Sequence, residues 1–153
     1  MIESTSPIII GSDHAAFPLK ESLKSYILEL GIEVEDAGTH SEASCDYTEF
    51  GAKVASGVSS GAFLRGILLC GTGLGMSMVA NKFPRVRAAL CGGLFSTIMS
   101  RRHNDANVLV LGGRVIGETL AREMVKAWLE TPFEGGRHQA RIEKIDRLVD
   151  LKR

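Results

Sequence analysis

The sequence is short of cysteine, and its cysteines follow no metal or disulfide pattern. There are three in 153 residues, an odd number with no CxxC pair, which excludes a zinc site of that type and a disulfide framework. The sequence also has no excess of charge of either sign, because 18 basic residues balance 18 acidic ones. A chain without net charge has no overall field to hold nucleic acid or an anionic membrane, so any anion site must be local.

Long apolar runs are absent as well. No stretch approaches the roughly 18 to 20 apolar residues of a membrane span. The first residues, MIESTSPIII, carry no basic segment and too short an apolar run for a signal peptide. We therefore expect a protein of the reducing cytoplasm. The length and the 44% hydrophobic content are typical of one globular domain, residues 1–153.

Short β-branched runs alternate with longer amphipathic segments. Three runs, at 8–10, 67–70 and 108–111, are continuously apolar, as in strands buried on both faces of a parallel sheet. Strands are predicted at 7–12, 32–37, 65–70, 86–91 and 107–112, and helices at 17–30, 48–60, 76–82, 94–102, 117–129 and 138–151, the last with Val149 on its apolar face. This order predicts an α/β fold: a doubly wound, Rossmann-like sheet of five parallel strands with helices on both faces and a C-terminal helix.

The stretch LLCGTGLGMS, residues 68–77, joins a buried strand to a glycine-rich loop. It is no nucleotide loop, because GxxxxGK[ST] is absent and the third glycine comes one residue early for GxGxxG. Backbone N–H groups at the start of a helix make the surroundings of Cys70 electropositive, which favours a thiolate able to act as a base or nucleophile. The alternative is a buried core cysteine, the role that we assign to Cys91.

Two other motifs could bind a phosphorylated sugar. Asp13 and His14 follow the first strand, at the edge of the sheet where ligands of such folds bind. Asp13 could simply cap the next helix, or it could accept from a sugar hydroxyl beside a phosphate held by His14. Arg137 and Arg141 lie four residues apart near a helix start, so both guanidinium groups share one face and suit a phosphate monoester. Ordinary surface salt bridges are the alternative for this pair.

The last motif surrounds the fifth strand. His103 and Asn104 precede that strand and Arg114 follows it. A histidine with polar neighbours at the entry to a buried strand is a candidate acid or base. Together, these groups suit proton abstraction next to the carbonyl of a phosphorylated sugar, with N–H groups stabilising the enediolate. No metal cluster or redox-cofactor motif competes with this interpretation.

The chain resembles the type B ribose-5-phosphate isomerases, whose family also contains the galactose-6-phosphate isomerase subunits. The matching stretches cover nearly the whole chain: GSDHAAF, DAGTHS with DY, ILLCGTGLGMSMVANKFPRVRAAL, SRRHNDANVLVLGGRVIG and FEGGRHQARIEKI. The resemblance implies an aldose-ketose isomerase that interconverts ribose 5-phosphate and ribulose 5-phosphate in the non-oxidative pentose phosphate pathway. It implies no metal and no other cofactor. It also implies a homodimer or a dimer of dimers, with active sites built from two chains.

The resemblance further implies residue roles. Cys70 is the proton-transfer base, His103 opens the furanose ring, and Thr72 joins the glycine loop in an anion hole. Substrate contacts are implied for Asp13, His14, Tyr47, Gly71, Gly73, Leu74, Gly75, Asn104, Arg114, Arg137 and Arg141. In a second version of the family the base is a glutamate just after the glycine loop; Met76 stands there, so the chain resembles the cysteine type.

Two alternatives remain open. One is isomerisation of a six-carbon sugar phosphate, such as allose 6-phosphate or galactose 6-phosphate, because one extra carbon changes binding only modestly. Galactose-type enzymes divide their catalytic residues between two different subunits, whereas this chain holds both Cys70 and His103. The other alternative is a non-catalytic domain that senses a sugar phosphate, which would need neither residue.

Overall fold

The computed structural model describes residues 6–148. The strands are β1 (Ile8–Ser12), β2 (Val34–Asp36), β3 (Arg65–Cys70), β4 (Ala88–Leu90) and β5 (Val108–Gly112). The helices are α1 (Phe17–Glu29), α2 (Tyr47–Ser59), α3 (Leu74–Ala80), α4 (Leu94–Arg102), α5 (Glu118–Glu130) and α6 (Arg137–Leu148). Each predicted strand and helix has its counterpart here. The predicted end of the last helix, including Val149, lies outside the described residues.

All five strands are parallel and follow the order β2-β1-β3-β5-β4. This confirms the predicted doubly wound, Rossmann-like sheet. The two edge strands, β2 and β4, have three residues each, half the predicted lengths, because each pairs with a neighbour on one side only. The carboxyl ends of β1, β3 and β5 lie side by side at the centre of the sheet, so loops from all three meet at one edge.

Apolar layers cover both faces of the sheet. Successive side chains of a strand point to opposite faces. Ile67 and Leu69 of β3 accordingly pack in the layer formed with α1 and α5, around the fully buried Trp128. Leu68 and Cys70 pack in the opposite layer, formed with α2 and α3. Burial on both faces explains the continuously apolar runs, since each fully buried aliphatic side chain contributes roughly 1.5–3 kcal/mol.

The third helix begins earlier than predicted. The sequence pattern predicts a start at residue 76, whereas α3 begins at Leu74, directly after Gly73. Gly73 has a φ of +81°, a left-handed conformation that glycine adopts at no steric cost. The loop between β3 and α3 is therefore only three residues long. No helix among residues 6–148 has the length and apolar character needed to cross a membrane.

Candidate active site

Cys70 ends β3 at the first turn of the glycine loop. Its side chain is 6% exposed, and its Sγ accepts a hydrogen bond from the backbone N–H of Gly73 at 3.1 Å. The left-handed φ of Gly73 turns this N–H back toward the strand end. The Thr72 hydroxyl oxygen accepts the N–H of Leu74 at 3.3 Å. The loop thus places one backbone donor directly on the sulfur.

The end of β5 supports the glycine loop. The Gly113 N–H donates to the Cys70 carbonyl at 2.8 Å, and the Arg114 N–H donates to the Gly71 carbonyl at 2.9 Å. A Cβ on Gly112 would stand 2.7 Å from the Thr72 carbonyl oxygen, so only glycine permits this approach. The Arg114 side chain lies over the loop, with Nη1 3.5 Å from the place of a Gly71 Cβ. Arg114 therefore brings a positive charge to the same edge as Cys70.

Asp13 and His14 lie at the neighbouring end of β1. The Asp13 carboxylate, 8% exposed, accepts the Ala16 N–H at 3.1 Å. This hydrogen bond closes the turn before α1; the N-cap position of that helix is Ala16, without a side-chain cap, so Asp13 does not have the helix-capping role that the sequence offered as an alternative. His14 Nδ1 accepts the Cys45 N–H at 3.2 Å, so Nε2 carries the proton of the neutral ring and can donate to a ligand. The sequence interpretation did not foresee Cys45, because nothing local links it to a residue 31 positions earlier.

Tyr47 reaches the glycine loop from the start of α2. The Asp46 carboxylate caps that helix by accepting the Thr48 N–H at 2.9 Å. A Cβ on Gly75 would stand 2.6 Å from two carbons of the Tyr47 ring, so the ring packs directly on the first turn of α3. One end of the sheet thus collects nine of the predicted site residues: Asp13, His14, Tyr47, Cys70, Gly71, Thr72, Gly73, Gly75 and Arg114. Leu74, also a predicted site residue, is the first residue of α3 and is 53% exposed.

The other predicted residues lie at the opposite end of the sheet within one chain. His103 and Asn104 follow α4 and precede β5, whereas Cys70 pairs with Gly112 at the far end of that strand. Val108 and Gly112 are four residues apart, about 13 Å along a strand. Arg137 begins α6, and Arg141 lies one turn further on. A single chain therefore does not bring His103 to Cys70.

His103 stacks on His138, with ring centroids 4.2 Å apart and an angle of 11° between the planes. The Glu134 carboxylate lies 3.7 Å from His103 Nε2 and 3.8 Å from His138 Nε2. Burial lowers the pKa of His138, the positive charges of His103, Arg137 and Arg141 lower it further, and Glu134 opposes them. The sequence interpretation missed Glu134 and His138, although both belong to the motif FEGGRHQAR, four residues apart.

These same three groups are the candidate metal ligands among residues 6–148, since their ligand atoms lie within 4.8 Å of one another. An imidazole binds a metal ion in the plane of its ring. Two parallel rings cannot both direct a lone pair at one ion without rotating. The guanidinium of Arg102, 3.7 Å from Glu134, and the charges of the arginines on α6 oppose a cation here. The arrangement suits an anion better than a divalent metal.

An exposed apolar surface adjoins the glycine loop. It comprises Leu74 and Met78 on α3, Leu90 at the end of β4, and Leu94 and Phe95 on α4. Phe95 is 78% exposed and Met78 66%. A Cβ on Gly73 would stand 2.5 Å from Leu90 Cδ1, so this surface begins at the loop itself. Clustered exposed apolar residues of this kind mark interaction surfaces.

Comparison with known proteins agrees with the fold. The family described as Ribose/Galactose Isomerase matches residues 8–145. Ribose-5-phosphate isomerase B of Escherichia coli is 47% identical over 138 residues, which cover 90% of this chain and 93% of the relative. The D-erythrulose-4-phosphate isomerase of Pectobacterium atrosepticum is 42% identical, with 90% and 91% covered. The structure of Clostridium thermocellum ribose-5-phosphate isomerase B superposes with a TM-score of 0.94 at 48% identity, covering 96% of this chain and 99% of that one. The chain therefore belongs to the ribose/galactose isomerase family of sugar-phosphate isomerases.

Proposed function

We propose that this protein interconverts ribose 5-phosphate and ribulose 5-phosphate, with Cys70 as the base. The proposal rests mainly on one observation: the Cys70 sulfur lies at the start of the glycine loop and accepts a hydrogen bond from the Gly73 N–H at 3.1 Å. The Gly73 N–H donates to the sulfur, and the other N–H groups of the loop are assigned to a substrate oxyanion. The names of the relatives from E. coli and C. thermocellum support the substrate.

The reaction consists of proton transfers: the base takes a proton from C2 of the sugar and later gives it back at C1. The Cys70 thiolate removes the proton from C2 of the open-chain aldose. The electrons of that C–H bond form a double bond between C1 and C2, and O1 becomes an oxyanion. Backbone N–H groups of the loop from Gly71 to Gly75, with Thr72, stabilise the enediolate. The O2 proton passes to O1, the C2–O2 bond becomes the new carbonyl, and the electrons of the C1–C2 double bond take the proton back from the Cys70 thiol at C1, which completes the ketose.

The remaining roles fall to groups that bind or open the sugar. His14, through its Nε2–H, and Arg114 lie on the Cys70 side, and Asp13 and Tyr47 border the sugar there. His103 moves a proton at the ring oxygen to open the furanose, and Asn104 binds sugar oxygens. Arg137 and Arg141 hold the phosphate, a dianion that suits guanidinium forks. Phosphate binding, ring opening and transfer of the carbon-bound proton are thus each assigned to a side chain of the protein.

We infer that two copies of the chain build each site, because one chain separates the Cys70 side from the His103 side. α4 has nine residues, about 13 Å of helix, and runs from Leu94, after the carboxyl end of β4, to Arg102, directly before His103. A twofold axis beside α4 would pack two such helices antiparallel. His103 of the partner subunit would then reach the Cys70 end of this chain, and the exchange would be reciprocal.

The exposed apolar surface supports this assembly. Met78, Leu90 and Phe95 lie along α3, the edge strand β4 and α4, where a second copy would cover them. Self-association through an edge strand and its two flanking helices would also protect the unpaired side of β4. The occupant that we propose for this surface is therefore a second copy of the same chain.

The three free cysteines of the protein suit the reducing conditions of the cytoplasm, which we propose as its location.

A six-carbon sugar phosphate is the second candidate substrate, since the family description names galactose as well as ribose. The Pectobacterium relative is named for a four-carbon substrate, so a sugar phosphate shorter than ribose 5-phosphate is a further candidate. One assay of the chain alone decides among them, comparing ribose 5-phosphate, allose 6-phosphate, galactose 6-phosphate and erythrose 4-phosphate. We expect the highest kcat/KM for ribose 5-phosphate; a hundredfold preference for another sugar would contradict the assignment.

The role of Cys70 is tested by Cys70→Ala. We expect kcat for ribose 5-phosphate to fall roughly a thousandfold, the usual range for loss of a general base, while calorimetry shows substrate affinity within about threefold of the original. Cys91→Ala is the matched control, because Cys91 is also buried and burial raises the pKa of its thiol. Undiminished turnover by Cys70→Ala would remove the thiolate from the mechanism. If the wild-type protein binds ribose 5-phosphate without isomerising it, the protein is a sensing domain instead.

A further inference from the structure

The turn that carries His103 and Asn104 ends in a left-handed residue. α4 ends at Arg102, and Asp105 has a φ of +44°, a region in which Asp and Asn are the best tolerated residues after glycine. The Asp105 N–H donates to the Arg101 carbonyl at 3.1 Å, which reverses the chain toward β5. Left-handed φ values are strained for a residue with a Cβ, so contacts from outside hold the turn.

Arg87, the residue before β4, supplies those contacts. Its Nε–H donates to the carbonyl oxygens of Asn104 and Asp105, both at 3.1 Å. Its Nη2 donates to the Asp105 carboxylate at 3.2 Å, and its Nη1 donates to the Asp146 carboxylate of α6 at 3.1 Å. One guanidinium thus joins the turn to the helix on which the two proposed phosphate arginines lie.

Arg87 is itself fixed in place. Its backbone N–H donates to the side-chain oxygen of Asn107 at 2.8 Å, and its carbonyl accepts the Asn107 N–H at 3.1 Å. Its side chain is 16% exposed. Arg101 holds Asp105 from the other side, with Nη1 2.8 Å from the carboxylate. The guanidinium is therefore rigid before any ligand arrives, as a positioning group must be.

We propose that Arg87 is a positioning residue for the ring-opening half of the site, acting through the backbone of the turn that carries His103 and Asn104. The inference rests on the proposed function of those two residues. Nothing in the proposed chemistry requires Arg87 to touch the substrate. Its planar fork donates to four acceptor groups, three in the turn and one on α6, a geometry that the single ammonium of lysine cannot reproduce.

Arg87→Lys tests the proposal with two substrates. Ribose 5-phosphate closes into a furanose through O4. Erythrose 4-phosphate carries its phosphate on O4, so it cannot close that ring and needs no ring opening. We expect kcat for ribose 5-phosphate to fall roughly ten- to a hundredfold, as misplaced catalytic groups do, and kcat for erythrose 4-phosphate to fall less than about threefold. Equal losses on both substrates would mean a general structural role and would overturn the proposal.

Arg147→Gln is the matched control, since it removes a guanidinium that is 75% exposed and pairs with Glu143 on the same helix. It should leave both rates unchanged. His103→Asn is the reference variant and should show the same selective loss as Arg87→Lys. If His103→Asn is selective and Arg87→Lys is not, the positioning role fails while the proposed function stands.

A second readout needs no turnover. The chain has four histidines, whose ring Cε1–H signals can be assigned in NMR spectra by substitution. Arg87→Lys should move the His103 signal and leave those of His14 and His40 in place, and Arg147→Gln should move none of them. An unmoved His103 signal in Arg87→Lys would overturn the proposal, even if the assays show that the protein isomerises a different sugar.

Discussion

Acidification should weaken a buried ion pair that anchors the loop beside the site. Lys20 is fully buried, and its Nζ lies 2.6 Å from both carboxylate oxygens of Asp36. The same carboxylate accepts from Lys24 Nζ at 2.8 Å and from the Gly38 N–H at 2.9 Å. Asp36 therefore fixes the start of the segment that continues to Cys45 and α2. Protonation of this one carboxyl should be measurable as a loss of stability.

The size of the effect follows from the pKa of Asp36. Burial raises that pKa, but hydrogen bonds from Lys20, Lys24 and the Gly38 N–H outweigh burial and lower it from 3.8 to about 2. Because the folded pKa lies below the unfolded one, the stabilisation is complete above about pH 4 and is lost as the pH falls through the folded value. A shift of this size corresponds to about 2 kcal/mol at pH 7 and about 1 kcal/mol at pH 3.

Urea unfolding of wild type and Asp36→Asn at pH 7, 5, 4 and 3 measures this contribution. We expect the variant to be less stable by at least about 2 kcal/mol at pH 7, because Lys20 stays buried with Glu21 as its remaining carboxylate partner. The difference should shrink by about 1 kcal/mol on going to pH 3. Glu35→Gln, an exposed carboxylate on the same strand, is the control and should change little. A difference between wild type and Asp36→Asn that does not vary with pH would refute the reasoning.

Two further substitutions test the glycine loop and the apolar surface. In Gly73→Ala the new Cβ would stand 2.5 Å from Leu90 Cδ1 at a φ of +81°. We expect the unfolding free energy to drop by about 2 kcal/mol or more and kcat to fall, because the Gly73 N–H leaves the sulfur; Gly92→Ala, with open space around it, should change neither. Phe95→Glu should convert a dimer into an inactive monomer in sedimentation experiments, whereas Leu28→Glu, 53% exposed on α1, should not. An active Phe95→Glu monomer would rule out a site built from two chains.

The Cys70 side of the site was predictable because its parts are neighbours in sequence. A buried strand, a cysteine and alternating glycines within eight residues leave few ways to place the sulfur other than beside N–H groups. His14 and Arg114 were predictable for a related reason, since the carboxyl ends of parallel strands meet at one edge. These predictions used only local pattern and the geometry common to parallel sheets.

The contacts around His103 could not be predicted in the same way. The stacking on His138 and the hold of Arg87 on Asn104 join residues 35 and 17 positions apart, on elements whose packing no local pattern specifies. A capping role for Asp13 was an open alternative, and only the structure showed that the N-cap position of α1 is Ala16, with Asp13 in the turn before it. Glu134 belongs to the motif FEGGRHQAR, but its position beside both His103 and His138 depends on how α6 packs against α4.

The sequence by itself determined the order of strands and helices, the two-faced burial of the central strands, and a cysteine joined to a glycine loop. Each depends on side-chain periodicity or on residues a few positions apart, and both are local properties of a chain. Tertiary structure alone decided the strand order, which leaves β4 at the edge of the sheet between α3 and α4, two helices with exposed apolar side chains. It also decided that Cys70 and His103 lie at opposite ends of β5. Strand pairing depends on contacts between distant segments, so the division of the predicted site appears only once the chain is folded.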